Sequence, residues 1–149
     1  MKLYLDNCCF NRPYDDQSVP KIKSETEAII LILDKIITEE VELVWSYILD
    51  YENSMNPFVE RKNAIAKWKE YSQIEIVANE DLLDIAEEVR LFNVSPKDCL
   101  HVASAVIASC DYFITTDVEL LRKLKKYYQI NLLGPAEYLI LTKRAENDR

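Results

Sequence analysis

The sequence predicts one three-layer α/β/α domain, residues 1–149, built on a mostly parallel sheet of four to five strands. Short stretches rich in β-forming apolar residues alternate along the chain with longer stretches whose apolar residues recur at helical spacing. Apolar residues make up 49% of the chain, which is enough for one real core, and a single glycine leaves little room for a flexible linker. Strands that alternate with helices are typical of parallel sheets covered on both faces.

Five short apolar segments are the predicted strands, and their apolar character fits burial on both faces of a sheet. They lie at 2–6, 41–46, 74–77, 112–116 and 130–133. The segment 7–21, which contains two prolines and two adjacent aspartates, is predicted to be a polar loop.

Helices are predicted between these strands. The first is predicted at 22–40, and a second starts soon after the second strand. A third runs from Pro57 to about Tyr71, and the last three lie at 81–92, 96–110 and 118–126. The clearest start is Ser95-Pro96-Lys97-Asp98, because serine caps a helix well, proline fits its first turn and an acid three residues after the cap completes a capping box.

The net charge of −8 argues against a protein that binds nucleic acid through phosphate attraction alone. An acidic protein can still bind a polyanion if metal ions neutralise the site and local basic patches guide the strand. The two candidate patches are Arg61/Lys62/Lys67/Lys69 and Arg122/Lys123/Lys125/Lys126. Each patch could equally be the solvated face of a helix.

No apolar stretch reaches the roughly 20 residues of a membrane span, and Asp6 stands where a signal peptide would continue its apolar region. We therefore expect a cytoplasmic protein whose four cysteines are reduced and mostly buried. A zinc site formed by Cys8, Cys9, Cys99 and His101 is conceivable, but no Cys-x-x-Cys spacing supports it.

Four acidic residues are predicted to meet at one edge of the sheet. Asp6 ends the first strand, and Glu52 lies in the first turns of the helix after the second strand. Asp98 starts a helix that leads directly into the strand ending before Asp117, so helix and strand should run antiparallel and bring these two acids to the same edge. In open parallel sheets, ligands bind outside the carboxyl ends of the strands.

Clustered carboxylates repel one another, so a protein must raise a pKa or bind a cation to tolerate them. Mg²⁺ and Mn²⁺ prefer such all-oxygen sites and can promote displacement at phosphate. Three of the acids also have a simpler interpretation: Asp98 could complete a capping box, Asp117 could be an N-cap and Glu52 could be a solvated helix residue. Asp6 is harder to dismiss, because an acid at the end of a buried strand is costly without a partner. These interpretations do not explain why all four acids fall at one edge.

The ordered motifs of the chain resemble those of the PIN domain family. The resemblance rests on Leu3-Tyr4-Leu5-Asp6-Asn7, on Ser46 followed by Glu52, on Ser95–His101 with Ala103 and Ala105, and on Phe113–Asp117. It covers nearly the whole chain in the expected order. It implies a mostly parallel sheet with a metal-dependent ribonuclease site, and many small bacterial members resemble the VapC toxins of toxin–antitoxin pairs.

The resemblance places Asp6, Glu52, Asp98 and Asp117 at the acidic positions of the family, with Mg²⁺ or Mn²⁺ as cofactor. Two departures stand out. Asn7 occupies a position where toxins often have Thr or Ser, and Glu52 lies one residue farther from the serine motif than expected, which makes Asp50 the fallback.

Further residues are expected to support the site or the substrate. The hydroxyl groups of Ser46 and Thr115 could bond a metal-bound water, a phosphate or a carboxylate, or could satisfy only local backbone. Arg12, in the long segment 7–21, could meet a phosphate, or the segment could be a plain structural loop. His101 is expected to be a core histidine, with a supporting contact to the site as the alternative.

The leading hypothesis is therefore a metal-dependent endoribonuclease whose partners are an RNA substrate and, by resemblance, an antitoxin protein or a second copy of the chain. The alternative is a non-catalytic PIN-like module that binds RNA or protein. A phosphoryl-transfer protein is disfavoured, because Cys8 stands where the second acid of such a site is needed.

Overall fold

A five-stranded parallel sheet forms the centre of the computed structural model, which describes residues 1–148. The strands are β1 (Lys2–Leu5), β2 (Glu42–Ser46), β3 (Ser72–Ile76), β4 (Tyr112–Ile114) and β5 (Asn131–Leu133). Their order across the sheet is β3-β2-β1-β4-β5, and every neighbouring pair is parallel. The predicted fold class is confirmed, and β1 is the central strand.

Eight α-helices and two short 3₁₀ turns surround the sheet within residues 1–148. The helices are α1 (Asn7–Asn11), α2 (Pro20–Ile37), α3 (Tyr47–Ser54), α4 (Val59–Ala66), α5 (Glu80–Arg90), α6 (Pro96–Ile107), α7 (Val118–Lys123) and α8 (Pro135–Asn147). From β1 to β3 the chain moves towards one edge of the sheet, and from β4 to β5 it moves towards the other. Right-handed connections then put α1–α4 on one face and α5–α7 on the opposite face, while α8 packs against α2.

This strand order makes the gap between β1 and β4 the point where the winding of the sheet reverses. Leu5 of β1 pairs with Ile114 of β4, so the residues that follow, Asp6 and Thr115, leave the sheet side by side. A crevice outside the carboxyl ends of strands at such a reversal is the usual ligand site of open α/β sheets.

Two helices were not predicted from the sequence. The segment 7–21 is not simply a loop, because α1 starts directly after β1 and a 3₁₀ turn covers Arg12–Tyr14. Helix α8 was also missed; it starts at Pro135, and its Tyr138 is buried beside the ring of Tyr112, with ring centroids 5.5 Å apart. Burial against distant elements stabilises α8, and periodicity within its own segment signals this poorly.

Other predicted elements differ from the structure mainly at their ends. The helix predicted from Pro57 begins at Val59 and finishes as the 3₁₀ turn Lys67–Tyr71.

All four cysteines are free thiols, three of them buried. None of the helices within residues 1–148 is both long enough and apolar enough to cross a membrane.

The core packs around the central strands. In β1, Leu3, Tyr4 and Leu5 are all buried, and Tyr4 stacks on Phe113 of β4 with ring centroids 5.2 Å apart. Because β1 is buried on both faces, the backbone that carries Asp6 to the edge of the sheet is held rigidly from both sides.

We expect Leu43→Ala, in β2, to lower the free energy of unfolding by about 2–5 kcal/mol, since Leu43 is fully buried and its truncation leaves a cavity. The matched control is Leu91→Ala, because Leu91 is 85% exposed and should change stability by less than about 0.5 kcal/mol. Urea unfolding followed by circular dichroism measures both values. Equal losses for the two variants would contradict the assignment of the core.

Candidate metal centre

Asp6 lies at the carboxyl end of β1 and is 5% exposed. Its backbone N–H donates to the carbonyl oxygen of Ile114 at 2.9 Å, which continues the sheet by one residue. Its carboxylate caps α1 by accepting from the N–H of Asn7 at 2.8 Å, and it accepts from the hydroxyl of Thr115 at 2.8 Å. The sequence of strand end, cap and short helix therefore fixes this carboxylate in the crevice.

Glu52, on α3, brings a second carboxylate to Asp6. One of its oxygens lies 2.7 Å from Nε2 of His101, and the other accepts from the side-chain amide of Asn7 at 3.0 Å. Asp6, Glu52 and His101 each offer a potential ligand atom, and these atoms all lie within 4.8 Å of one another. Glu52 therefore lies next to Asp6, although it is one residue farther from Ser46 than the motif predicts. The fallback residue Asp50 instead accepts from the indole of Trp45 and pairs with Lys69.

Asp117 is linked to Asp6 through Thr115. Its N–H donates to the hydroxyl of Thr115 at 3.0 Å, and that hydroxyl donates to Asp6. The carboxylate of Asp117 also accepts from the N–H of Leu120 at 3.1 Å, which makes it the N-cap of α7. The capping interpretation is correct, and the cap lies at the same edge of the sheet as Asp6.

Asp98 is half-buried at the start of α6, where its carboxylate accepts from the hydroxyl of Ser95 at 3.0 Å. It also lies close enough to Asp6 for its charge to raise the pKa of that carboxyl. Neither Asp98 nor Asp117 belongs to the group of atoms within 4.8 Å described above for residues 1–148. The four predicted acids thus lie at one edge of the sheet, and two of them, Asp6 and Glu52, have oxygens within 4.8 Å of each other.

The pKa values of the two closest carboxyls shift in opposite directions. Burial raises the pKa of Asp6 above its ordinary 3.8; the imidazole of His101 and the hydrogen bond from Thr115 lower it only in part. The pKa of Glu52 is also raised by burial, but its contacts with His101, Lys97 and Asn7 outweigh burial and leave it below its ordinary value. An ionised Asp6 therefore destabilises the fold, and an ionised Glu52 stabilises it.

No Lys or Arg in residues 1–148 forms an ion pair with Asp6, Asp98 or Asp117, whereas Glu52 has Lys97 at 3.8 Å. A buried carboxylate without a cation is costly. The side-chain oxygen of Asn7 is likewise buried without a hydrogen-bond partner in the described chain. A small divalent cation fits this set of oxygen donors, because it would balance the charge.

The other predicted residues have different surroundings. Arg12 pairs with Asp15 at 3.1 Å and with Glu25 at 3.3 Å, so its charge is balanced inside its own segment. In the first basic patch, Arg61 lies 3.6 Å from Asp15. In the second patch, Arg122 pairs with Glu119, which fits the solvated face of a helix.

Cys8, Tyr4 and His101 also contact the site; sequence reasoning left His101 a supporting contact only as the alternative, and it did not place Cys8 or Tyr4 beside the carboxylates. The thiol of Cys8 lies 3.5 Å from Asp6 and 3.4 Å from the hydroxyl of Thr115. His101 is fully buried and bonded through both ring nitrogens, as expected of a core histidine, but one of its partners is Glu52. Helical spacing could have signalled His101, which lies three residues after Asp98 and so on the same side of α6.

A groove of about 340 Å³ opens beside Glu52. Its lining combines amide, basic and apolar side chains: Asn7, Asn11, Glu52, Met55, Asn56, Pro57, Phe58, Arg61 and Lys97. The ring of Phe58 is 57% exposed, and the guanidinium carbon of Arg61 lies 4.5 Å from the centre of that ring. The groove therefore places an exposed aromatic ring, with Arg61 over one of its faces, in the same lining as Glu52.

We expect Asp6→Asn to raise the melting temperature of the metal-free protein at pH 7.5, because it removes a buried charge whose folded-state pKa is raised. The asparagine oxygen can still accept from the N–H of Asn7. The gain should be complete above the raised pKa and should vanish as the pH falls to the ordinary aspartate value of 3.8. Calorimetry across this pH range measures it.

Asp84→Asn is the control, since Asp84 is exposed on α5, and its melting temperature should follow that of the wild type. A metal-free Asp6→Asn protein that melts below the wild type at pH 7.5 would show that the carboxylate is not strained by burial.

Solved structures of FitAcB and VapBC proteins share the fold of this chain. A chain of FitAcB from Neisseria gonorrhoeae matches with a TM-score of 0.58 and 18% identity, over 89% of this chain and 97% of that one. A chain of VapBC2 from Rickettsia felis, bound to a DNA fragment from their promoter, matches with a TM-score of 0.59 and 13% identity, over 90% of this chain and 98% of that one. A chain of VapBC-1 from nontypeable Haemophilus influenzae matches with a TM-score of 0.56 and 13% identity, over 91% of this chain and 99% of that one.

No protein-family model matches the sequence, and no curated protein matches it. At identities of 13–18% the structural likeness establishes the fold alone, over almost the full length of each chain. It is the fold that the motif resemblance predicted, and the PIN-like architecture of this chain is thereby confirmed.

Proposed function

We propose that the chain is a divalent-metal-dependent endoribonuclease, with Mg²⁺ or Mn²⁺ held by Asp6 and Glu52 and the site completed by Asp98 and Asp117. One observation carries the proposal: a buried Asp6 carboxylate lies beside Glu52 at the reversal of the sheet, and no Lys or Arg in residues 1–148 forms an ion pair with it. Removing such a charge would stabilise the protein, so we infer that the carboxylate is retained for a function.

The donor set supports displacement at phosphate as the class of reaction. A divalent cation bound there would supply Lewis acidity at a phosphate oxygen. The chain's own residues hold the oxygens in place: Thr115 donates to Asp6, and Asn7 donates to Glu52. Asp98 and Asp117 add negative charge at the rim, which favours a cation over a bare phosphate.

The groove supports a single-stranded nucleic acid as substrate. Lys97 is half-exposed within it, and the exposed ring of Phe58 offers a face on which a base can stack. Single-stranded RNA presents such unstacked bases together with phosphates. Local cations and a bound metal would offset the overall charge of −8.

We further propose that the nuclease is the toxin of a toxin–antitoxin pair. The structural neighbours come from FitAcB and VapBC complexes, and they match this chain over about 90% of its length. The antitoxin would then be the protein partner that controls access to the carboxylates.

We expect wild-type protein to cleave single-stranded RNA only when Mg²⁺ or Mn²⁺ is present, and Asp6→Asn or Asp98→Asn to lower the rate by at least ~100-fold. End-labelled RNA on a denaturing gel measures the rate, and Asp84→Asn should cleave like the wild type. Cleavage by Asp6→Asn at the wild-type rate would refute the assignment.

Titration calorimetry with Mn²⁺ separates the nuclease from a non-catalytic module. The nuclease binds Mn²⁺ near neutral pH, and Asp6→Asn weakens the binding. A wild-type protein that binds RNA but no Mn²⁺ would support the non-catalytic module and contradict the nuclease.

We expect Phe58→Ala, in an Asp6→Asn background that prevents cleavage, to weaken binding of single-stranded RNA by roughly 5- to 100-fold, since stacking of one base is worth about 1–3 kcal/mol. Fluorescence anisotropy with a labelled oligonucleotide measures the affinity. Val59→Ala is the control, because Val59 is the adjacent aliphatic residue and is also exposed, at 69% against 57% for Phe58. Equal affinities for the two variants would remove Phe58 from the substrate groove.

A further inference from the structure

A chain of buried hydrogen bonds leads from the core to Glu52. The hydroxyl of Ser46 lies 2.6 Å from that of Tyr4, and the Tyr4 hydroxyl lies 2.6 Å from Nδ1 of His101. Nε2 of His101 then lies 2.7 Å from Glu52. Ser46, Tyr4 and His101 are each at most 1% exposed, so these polar groups depend on one another for partners.

Counting donors gives this chain a direction. The hydroxyl oxygen of Ser46 accepts from the N–H of Leu49, and within residues 1–148 the other partner of that hydroxyl is Tyr4. The arrangement that uses every donor has Ser46 donating to Tyr4 and Tyr4 donating to Nδ1 of His101. The imidazole proton is then on Nε2, where it points at the carboxylate of Glu52.

The ring of Tyr4 is held independently of these bonds. It stacks on Phe113 at 5.2 Å with an angle of 11° between the rings, and the ring of His101 meets it edge-on at 5.8 Å. Tyr4 also lies on β1, two residues before Asp6. One rigid strand thus places Asp6 directly and reaches Glu52 through His101.

We propose that Tyr4 and His101 are positioning residues of the metal centre: Tyr4 fixes His101 as the Nε2–H tautomer, and this N–H holds the Glu52 carboxylate beside Asp6. The inference rests on the proposed metal-binding function. It assigns His101 to orienting a metal ligand, and it gives Tyr4 a role beyond packing. Partners that orient ligands in this way commonly contribute 10- to 100-fold to metal affinity.

The single histidine of the chain makes the tautomer directly measurable. Nitrogen-15 resonances of the imidazole in the metal-free protein at neutral pH should show a protonated Nε2 and an unprotonated Nδ1. The Nε2 proton should persist when Mg²⁺ is added. A protonated Nδ1, or loss of the Nε2 proton on Mg²⁺ loading, would overturn the proposal, the latter because His101 would then be a ligand.

Mn²⁺ affinity, measured by titration calorimetry, tests the consequence for the site. Tyr4→Phe keeps the stacked ring and removes only the hydroxyl; we expect it to weaken Mn²⁺ binding by roughly 10-fold. His101→Leu should weaken binding by roughly 10- to 100-fold. His101→Gln should recover most of the affinity, because a glutamine amide can place an N–H near the position of Nε2.

A role in packing alone would lower the melting temperatures of Tyr4→Phe and His101→Leu and leave their Mn²⁺ affinities unchanged, which would overturn the proposal. The nuclease can fail separately: a wild type that binds Mn²⁺ but leaves RNA intact contradicts the proposed function, and the positioning roles stand on the tautomer and the Mn²⁺ affinities.

Discussion

The carboxylate of Asp6 is the constraint on which the rest of the site depends. It is buried at the end of the central strand, and its hydrogen bonds to Thr115 and the N–H of Asn7 do not balance its charge. Burial of an unbalanced charge destabilises a fold. The neighbouring acids Asp98 and Glu52 make the cost greater, so an ionised Asp6 lowers the stability of the metal-free protein.

The sheet concentrates the acids without needing long loops. Because β1 lies between β2 and β4, residues that follow these three strands emerge together at one edge. Asp6 follows β1, Thr115 and Asp117 follow β4, and α3 carries Glu52 back from the end of β2. Parallel strands put all these exits on one side, whereas antiparallel neighbours would have divided them between opposite edges.

The sequence was sufficient to predict the strands and the edge at which the acids meet, because Asp6 and Asp117 follow apolar segments directly and Asp98 follows a capping serine. Local patterns carry that information. The sequence left a supporting contact from His101 only as an alternative and did not predict the contacts of Tyr4. The bonds Tyr4–Ser46, His101–Glu52 and Tyr4–His101 join residues 42, 49 and 97 positions apart, which local patterns do not reveal. Helix α8 was missed for the same reason, because burial against β4 and α2 stabilises it.

Anomalous diffraction from crystals soaked in Mn²⁺ tests most directly whether these carboxylates share a cation. A metal peak contacted by oxygens of both Asp6 and Glu52, and absent from Asp6→Asn crystals, is the expected result. Well-ordered crystals at millimolar Mn²⁺ that show no peak at this edge, or show one only at surface acids, would contradict the metal centre.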